Sequence, residues 1–187
     1  SSDLMLAFHE GGLASRLDCP ADDISGYDLD ESSLLREWLA NNRDIIPVEL
    51  GGEAEPCRCG EAENPWSRHV PRCPYQWYNK NASRWFRKVV SLESAANCPE
   101  AEALVWVDSD CRFKSTLPSS IWADLFEGAS VLYHKSRHRK VIESGVIAFK
   151  MDAGGRCLLS DVVDRYLSGR FRRDLRWDDG FQFQQAI

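Results

Sequence analysis

Short apolar runs alternate with helix-like periodicity along the chain. Four runs predict buried strands, at residues 4–8, 103–107, 131–133 and 146–149. Apolar residues spaced three and four apart predict helices at residues 33–42, 79–96, 119–126 and 158–167. Residues 45–50 form a weaker strand candidate because Pro47 cannot donate a hydrogen bond to a neighbouring strand. This alternation predicts an α/β domain with a mostly parallel sheet flanked by helices.

Residues 51–76 break the pattern. They are rich in Gly and Pro and have almost no periodic signal. Long segments of this kind inside a compact domain are usually functional or tied down in a special way. We interpret the 187 residues as a single domain carrying 51–76 as an inserted loop, and we expect parts of that domain to be lacking at both ends.

The inserted loop contains a metal-ligand spacing. Cys57, Cys59, His69 and Cys73 follow the pattern C-x-C-x9-H-x3-C. Three thiolates and one imidazole form a closed tetrahedral zinc site, which would order a segment with few other reasons to fold. A closed site has no open coordination position, so we predict a structural zinc-knuckle-like role and no catalysis. Cysteines placed by chance, or a disulfide, are the alternatives.

Charge and cysteine usage limit the partners and the compartment. The net charge of −6 speaks against a broad nucleic-acid surface, although two basic clusters keep a local one open. The clusters are Lys135, Arg137, Arg139, Lys140 and, later, Arg170, Arg172, Arg173, Arg176. No apolar run is long enough for a membrane span. Of the seven cysteines, three fall within residues 57–73 and the other four are scattered, which favours a reducing intracellular compartment such as the cytoplasm.

An acidic pair follows the strongest strand prediction. Residues 103–107 are apolar, and Asp108-Ser109-Asp110 comes directly after them. Alternate residues of an extended segment point to the same side, so the two carboxylates can lie together. Oxygen ligands of this kind suit Mg²⁺ or Mn²⁺, which would neutralise charge on a leaving diphosphate. The alternative is a turn in which Asp serves as a cap.

These features, in their order, resemble the GT-A-fold glycosyltransferases. The hydrophobic strand ending in Asp108-Ser109-Asp110 looks like their metal-binding motif, and residues 141–149 look like their acceptor-side strand. Trp177-Asp178-Asp179-Gly180-Phe181 is similar to their late acidic motif. The resemblance covers residues 4–183 and implies transfer of a sugar from a nucleotide sugar, expected to be a UDP-sugar, to an acceptor hydroxyl. The acceptor can be a glycan, a protein, a small molecule or a hydroxylated DNA base, with nucleic acid not favoured.

The resemblance also implies roles for individual residues. Asp110 would bind the divalent metal directly, and Asp108 would bind it through water or contact the donor ribose. Asp178 or Asp179 would be the general base, with Glu143 as the second candidate. Three basic residues would contact the diphosphate or a phosphorylated acceptor: Arg137, Arg139 and Lys140.

The sequence departs from the family pattern in two features. Many members supply a third metal ligand late in the chain, often a His, whereas no His follows His138. We also expect the first nucleotide-binding strand of the fold to be missing before Ser1.

Three other functions remain open. A phosphatase of the haloacid dehalogenase type also has Asp-x-Asp after a strand, but Arg112 stands where Thr or Val is usual. A nucleotidyltransferase would show a Gly-rich basic loop after its first strand. A non-catalytic, zinc-stabilised binding module would tolerate Ala at Asp108 and Asp110.

Overall fold

The computed structural model describes residues 5–9, 24–57, 59, 69–99, 101–108, 111, 120–135 and 141–187. Five strands lie within these ranges: β1 (Met5–His9), β2 (Ile24–Asp28), β3 (Ala103–Val107), β4 (Val131–Lys135) and β5 (Ile142–Lys150). Six α-helices accompany them: α1 (Ser33–Asn41), α2 (Trp77–Lys80), α3 (Ala82–Ala96), α4 (Ile121–Leu125), α5 (Ala153–Leu167) and α6 (Asp179–Ala186). The predicted α/β class is confirmed.

The predicted mostly parallel sheet is wrong for β3, β4 and β5, which we call the central sheet. β5 lies between β3 and β4, and both pairings are antiparallel. β1 and β2 form a separate parallel pair. Hydrophobic runs predict that a strand exists but carry no information about its direction, so alternation of strands and helices was an insufficient guide. The antiparallel register puts Val107, at the end of β3, opposite Val146 in β5.

An aromatic core holds the helices against this sheet. Trp38 of α1 packs on Phe86 of α3 with ring centroids 4.6 Å apart, and Phe86 packs on Tyr166 of α5 at 5.2 Å. The Trp38 indole N–H donates to the Tyr166 carbonyl at 3.1 Å, so its polar atom is satisfied inside the core. Phe171 stacks on Tyr166 and closes the cluster. This core fixes α3, whose opposite side reaches the end of β3.

Local sequence signals explain most element ends. Ser32 caps α1 by accepting from the Leu35 amide at 3.2 Å. Asp152 caps α5, which therefore begins five residues before the predicted start at 158. Residues 45–50 are not a strand but parts of two 3₁₀ turns separated by Pro47, and the second turn ends at Gly51 with φ of +83°. Strand β2 lies in a stretch for which no strand was predicted.

Among the helices of the described ranges, none has the length and hydropathy that a bilayer crossing requires.

Candidate functional site

A buried lysine joins three elements at one edge of the central sheet. Lys88 of α3 is 8 % exposed. Its ammonium donates to Asp108 Oδ1 at 3.0 Å and to the Ser144 carbonyl of β5 at 2.6 Å. It also forms an ion pair with Asp179 Oδ2 at 2.8 Å, at an angle outside hydrogen-bond geometry. We call these four residues the Lys88 cluster.

The sequence prediction did not include Lys88. In the helical prediction for 79–96 it lies three residues after Trp85 and four before Leu92, which puts a cation beside the apolar stripe. Lysine is almost never fully buried unless it is paired. The position of Lys88 beside the apolar stripe was therefore the sequence signal that a carboxylate lies near it in the fold.

Asp108 lies at the end of β3, as predicted, and is the accessible member of the cluster. Its backbone N–H donates to the Gly145 carbonyl at 2.8 Å, which continues the pairing of β3 with β5 for one more residue. Lys88 and the Trp106 indole both donate to its Oδ1. Its side chain is still 40 % exposed, so the carboxylate can accept a ligand from solvent.

Asp179 reaches the cluster because α6 approaches β5 very closely. A Cβ on Gly180 would lie 2.5 Å from the Ile142 carbonyl oxygen, so any side chain there would push α6 away from β5. The neighbouring Asp179 is 2 % exposed and depends on Lys88 for charge compensation. A buried carboxylate is stable in its ionised form only with such a partner. Gly180 is therefore part of the geometry that brings the late acidic motif to β3.

Asp178 has a different environment from Asp179. Its two oxygens accept from Arg176 at 2.7 and 2.9 Å, and it caps α6 by accepting from the Phe181 amide at 3.2 Å. Burial raises the pKa of Asp178, and this effect outweighs the lowering by Arg176. Neither Asp178 nor Asp179 is open to solvent. The general-base role of either residue stays a prediction, and its burial argues against that role.

Asp178→Asn is expected to lower the free energy of unfolding by about 1–3 kcal/mol at neutral pH, since Asn keeps the helix cap but loses the charge and one of the two oxygens that bind Arg176. A carboxyl with a raised pKa in the folded chain contributes stability below its ordinary pKa and loses it as the pH rises through the folded value. An uncharged amide avoids that loss. Asp178→Ala also removes the cap and should cost about 1–2 kcal/mol more than Asp178→Asn. Urea unfolding of the two variants checks this, and equal costs would contradict the capping role.

Glu143 lies in β5, one residue before the Ser144 carbonyl that binds Lys88, and is half-buried. Its Cα pairs with that of His134, next to an irregularity in the β4 register. Glu143 is thus close in the chain to the cluster. Four other predicted site residues lie outside the described residues: Asp110, Arg137, Arg139 and Lys140.

Three of the four arginines in the later basic cluster are paired with carboxylates. Arg170 pairs with Asp161 and Asp164, at 2.8 and 2.7 Å. Arg172 pairs with Asp44, and the Arg172 guanidinium holds the pKa of that carboxyl below its usual value. Arg176 binds Asp178 and stacks on the Tyr78 ring at 3.6 Å. These pairings leave less positive charge for an anionic partner than the sequence indicated.

The structure brings the predicted Cys and His ligands together. One ligand atom from each of Cys57, Cys59, His69 and Cys73 lies within 4.8 Å of all the others. The Cys59 and Cys73 sulfurs are 3.9 Å apart, and His69 Nδ1 lies 3.6 Å from Cys73 Sγ and 3.0 Å from Cys57 Sγ. We call these residues the Cys/His cluster. The group can hold a zinc-like metal.

Two of these three separations match a tetrahedral site. With Zn–S of about 2.3 Å and Zn–N of about 2.0 Å, tetrahedral angles separate two sulfurs by about 3.8 Å and a sulfur from a nitrogen by about 3.5 Å. The Cys59–Cys73 and Cys73–His69 distances are within about 0.1 Å of these values, whereas the Cys57–His69 distance of 3.0 Å is about 0.5 Å shorter. The six cysteines among the described residues are free thiols, so the disulfide alternative is not found there.

The Cys/His cluster has one unusual backbone conformation beside it and two thiols with shifted pKa values. Arg72, immediately before Cys73, has φ of +67°, a left-handed conformation that is uncommon outside glycine. Burial raises the pKa of Cys73 to about 12, whereas a hydrogen bond with the backbone of Val70 lowers the pKa of Cys59. A bound divalent cation would compensate these thiolates, which repel one another when ionised.

Comparison with known proteins gave no match among protein-family models, among curated proteins or among solved structures.

Proposed function

We propose that the chain is a metal-dependent glycosyltransferase domain that binds a nucleotide-sugar donor beside Asp108. The observation that carries this proposal is the contact of Lys88 with both Asp108 and Asp179. Two acidic motifs that are far apart in the sequence therefore meet at one ammonium group. The exposed side of Asp108 is the part of this arrangement that a donor can reach.

The charge balance of this region favours a bound cation. Three carboxylates, from Asp108, Asp178 and Asp179, pair with two cationic side chains, Lys88 and Arg176. Asp110 would add a fourth negative charge. A hard divalent cation such as Mn²⁺ or Mg²⁺ prefers carboxylate oxygens and keeps positions for phosphate oxygens. The GT-A assignment itself stays a resemblance of sequence motifs.

The accessible carboxylates suggest how the roles are divided. Asp108, with Asp110, would hold the metal, and the metal would neutralise charge on the departing nucleoside diphosphate. Lys88 would fix the orientation of Asp108 through its hydrogen bond to Oδ1. Among the candidates for the general base, Glu143 is half-buried, whereas Asp178 and Asp179 are enclosed. The general base in this proposal is therefore Glu143.

Turnover of donors tests the proposed activity. The chain would be incubated with a panel of nucleotide sugars with and without Mn²⁺, and release of nucleoside diphosphate would be followed, since slow donor hydrolysis needs no acceptor. We expect Mn²⁺-dependent release from one donor, lost in Asp108→Asn. Asp124→Asn, an exposed carboxylate on α4, is the matched control and should retain it. Release of nucleoside diphosphate that is the same with and without Mn²⁺, and the same in Asp108→Asn, would contradict the proposal.

A second candidate function is a non-catalytic, zinc-stabilised binding module. It is favoured by the burial of Asp178 and Asp179, which form internal ion pairs of a kind that also occurs in purely structural networks. In that case Asp108→Asn would leave binding of every nucleotide unchanged.

We infer that the Cys/His cluster binds one structural zinc ion. Three sulfurs and one nitrogen, all within 4.8 Å of one another, are a donor set that zinc prefers, and four such ligands leave no open position in a tetrahedral site. Metal analysis of the purified chain should give one zinc per chain, and Cys73→Ser should lower this number. Cys157→Ser, at an exposed thiol on α5, is the control and should retain full zinc. Equal zinc contents in the two variants would contradict the assignment.

A further inference from the structure

A buried asparagine connects the Cys/His cluster to the late acidic motif. Asn79, in α2, is fully buried. Its amide nitrogen donates to the Cys73 carbonyl at 3.1 Å, and its amide oxygen accepts from the Trp177 backbone N–H at 3.2 Å. One side chain therefore bonds to the backbone of a proposed metal ligand and to the backbone two residues before Asp179.

A second contact runs beside this one. Tyr78, adjacent to Asn79, lies under the Arg176 guanidinium at 3.6 Å from the ring centroid. Arg176 in turn binds both oxygens of Asp178. Two successive residues of α2 therefore contact two successive residues that precede Asp178. The short helix α2 acts as the support of the segment that leads into α6.

The segment before α6 is held from two sides. The Trp177 N–H is bound by Asn79, on the side of the Cys/His cluster, and the Trp177 carbonyl accepts from the Tyr166 hydroxyl at 2.7 Å, on the side of the aromatic core. Asp179 follows two residues later and reaches Lys88. Its position relative to Asp108 thus depends on both anchors, because α6 begins directly after them.

Little besides the cluster fixes the Cys73 end of this connection. Within residues 51–57, 59 and 69–76 the structure has no helix or strand, only an isolated bridge between Pro47 and Ala54. The Tyr75 hydroxyl contacts the Ala54 carbonyl at 2.9 Å and the Glu49 carboxylate at 3.2 Å, and the Cys73 carbonyl also accepts from the Gln76 amide at 3.0 Å. A metal bound by four ligands would immobilise Cys73 and its carbonyl far more than these contacts do.

We propose that zinc in the Cys/His cluster positions Asp179 against Lys88 through Asn79, which makes Asn79 a positioning residue for the candidate active site. This inference rests on the zinc site and the donor site proposed above. The coupling is reciprocal, as linkage requires: an intact Lys88 cluster also favours zinc binding.

Hydrogen exchange of the whole chain, read by mass spectrometry with zinc content measured on the same samples, tests the coupling. The backbone amides of residues 177–183 report on the start of α6, and those of α5 serve as an internal reference. Zinc-loaded Asn79→Ala is expected to exchange about tenfold faster than the wild type in 177–183, because a buried hydrogen bond to Trp177 is lost. Asn81→Ala removes a hydrogen bond to Trp77 in the same turn and is the matched control, with wild-type exchange in 177–183.

A second measurement keeps the test decisive if Asn79→Ala fails to fold. Removal of zinc from the wild type releases Cys73, so we expect residues 177–183 to exchange faster in chelator than in zinc, while α5 exchanges at the same rate in both. Full zinc content with wild-type exchange in Asn79→Ala, or exchange of 177–183 in the wild type that does not change when zinc is removed, would overturn the coupling. A wild-type chain that takes up no zinc would overturn the zinc site itself. Neither result depends on nucleotide binding or turnover, so failure of the glycosyltransferase proposal is recognised separately.

Discussion

Lys88→Met is expected to lower the free energy of unfolding by about 3–5 kcal/mol, the usual cost of removing one partner of a buried ion pair. The methionine fills most of the lysine volume, so the loss is electrostatic. Asp179 would remain 2 % exposed without its cation, whereas Asp108, at 40 % exposure, can be solvated. The penalty therefore comes mainly from Asp179.

A double variant identifies that origin. Asp179→Asn added to Lys88→Met removes the uncompensated charge and should recover a large part of the lost stability. Lys150→Met, at an exposed end of β5, is the matched control and should change stability by less than about 0.5 kcal/mol. Urea unfolding at constant free zinc measures all three. A loss below about 1 kcal/mol in Lys88→Met would mean that the cluster is not a buried ion-pair network.

Removal of zinc is expected to have an effect of similar size. A ligand at 1,000 times its dissociation constant stabilises the folded chain by about 4.1 kcal/mol. In a domain of this size each kcal/mol shifts the melting temperature by about 2–4 °C, so a chelator should lower it by roughly 8–16 °C. The aromatic core around Trp38 and Phe86 does not depend on the metal, so the zinc-free chain should still melt cooperatively.

Thermal unfolding in excess zinc and in chelator measures this effect. Cys73→Ser should melt at nearly the same temperature in both conditions, since its cluster is already incomplete. Cys157→Ser should respond to zinc as the wild type does. A wild-type melting temperature that does not change with zinc would contradict a structural metal.

The helices and the metal ligands were the parts of this molecule that local sequence could predict. Residues three and four apart determine one face of a helix, so α1 and α3 were evident, and Ser32 was a recognisable cap. The Cys57, Cys59, His69 and Cys73 spacing was equally informative, because a closed zinc site is built from a few nearby ligands.

Local sequence could not predict strand direction or long-range ion pairs. Nothing local distinguishes a parallel from an antiparallel neighbour of β5, and Pro47 together with Gly51 converted an apolar run into two 3₁₀ turns. The proximity of Asp179 to Asp108 depends on the close approach of α6 to β5 at Gly180, which only the tertiary structure reveals. The sequence shows that Lys88 has an unusual position for a charged residue, beside the apolar stripe of α3. It does not show that Asp108 and Asp179 are its partners.

Thermal shift with nucleoside diphosphates, with and without Mn²⁺, tests the central claim most directly, namely that Asp108 and the Lys88 cluster form a metal-dependent donor site. At 100 times its dissociation constant a ligand stabilises the chain by about 2.7 kcal/mol, or roughly 5–10 °C here. We predict such a shift for one nucleotide, only with Mn²⁺, retained in Asp124→Asn and absent in Asp108→Asn. A folded, zinc-loaded chain that shows no Mn²⁺-dependent shift with any nucleotide would contradict the account.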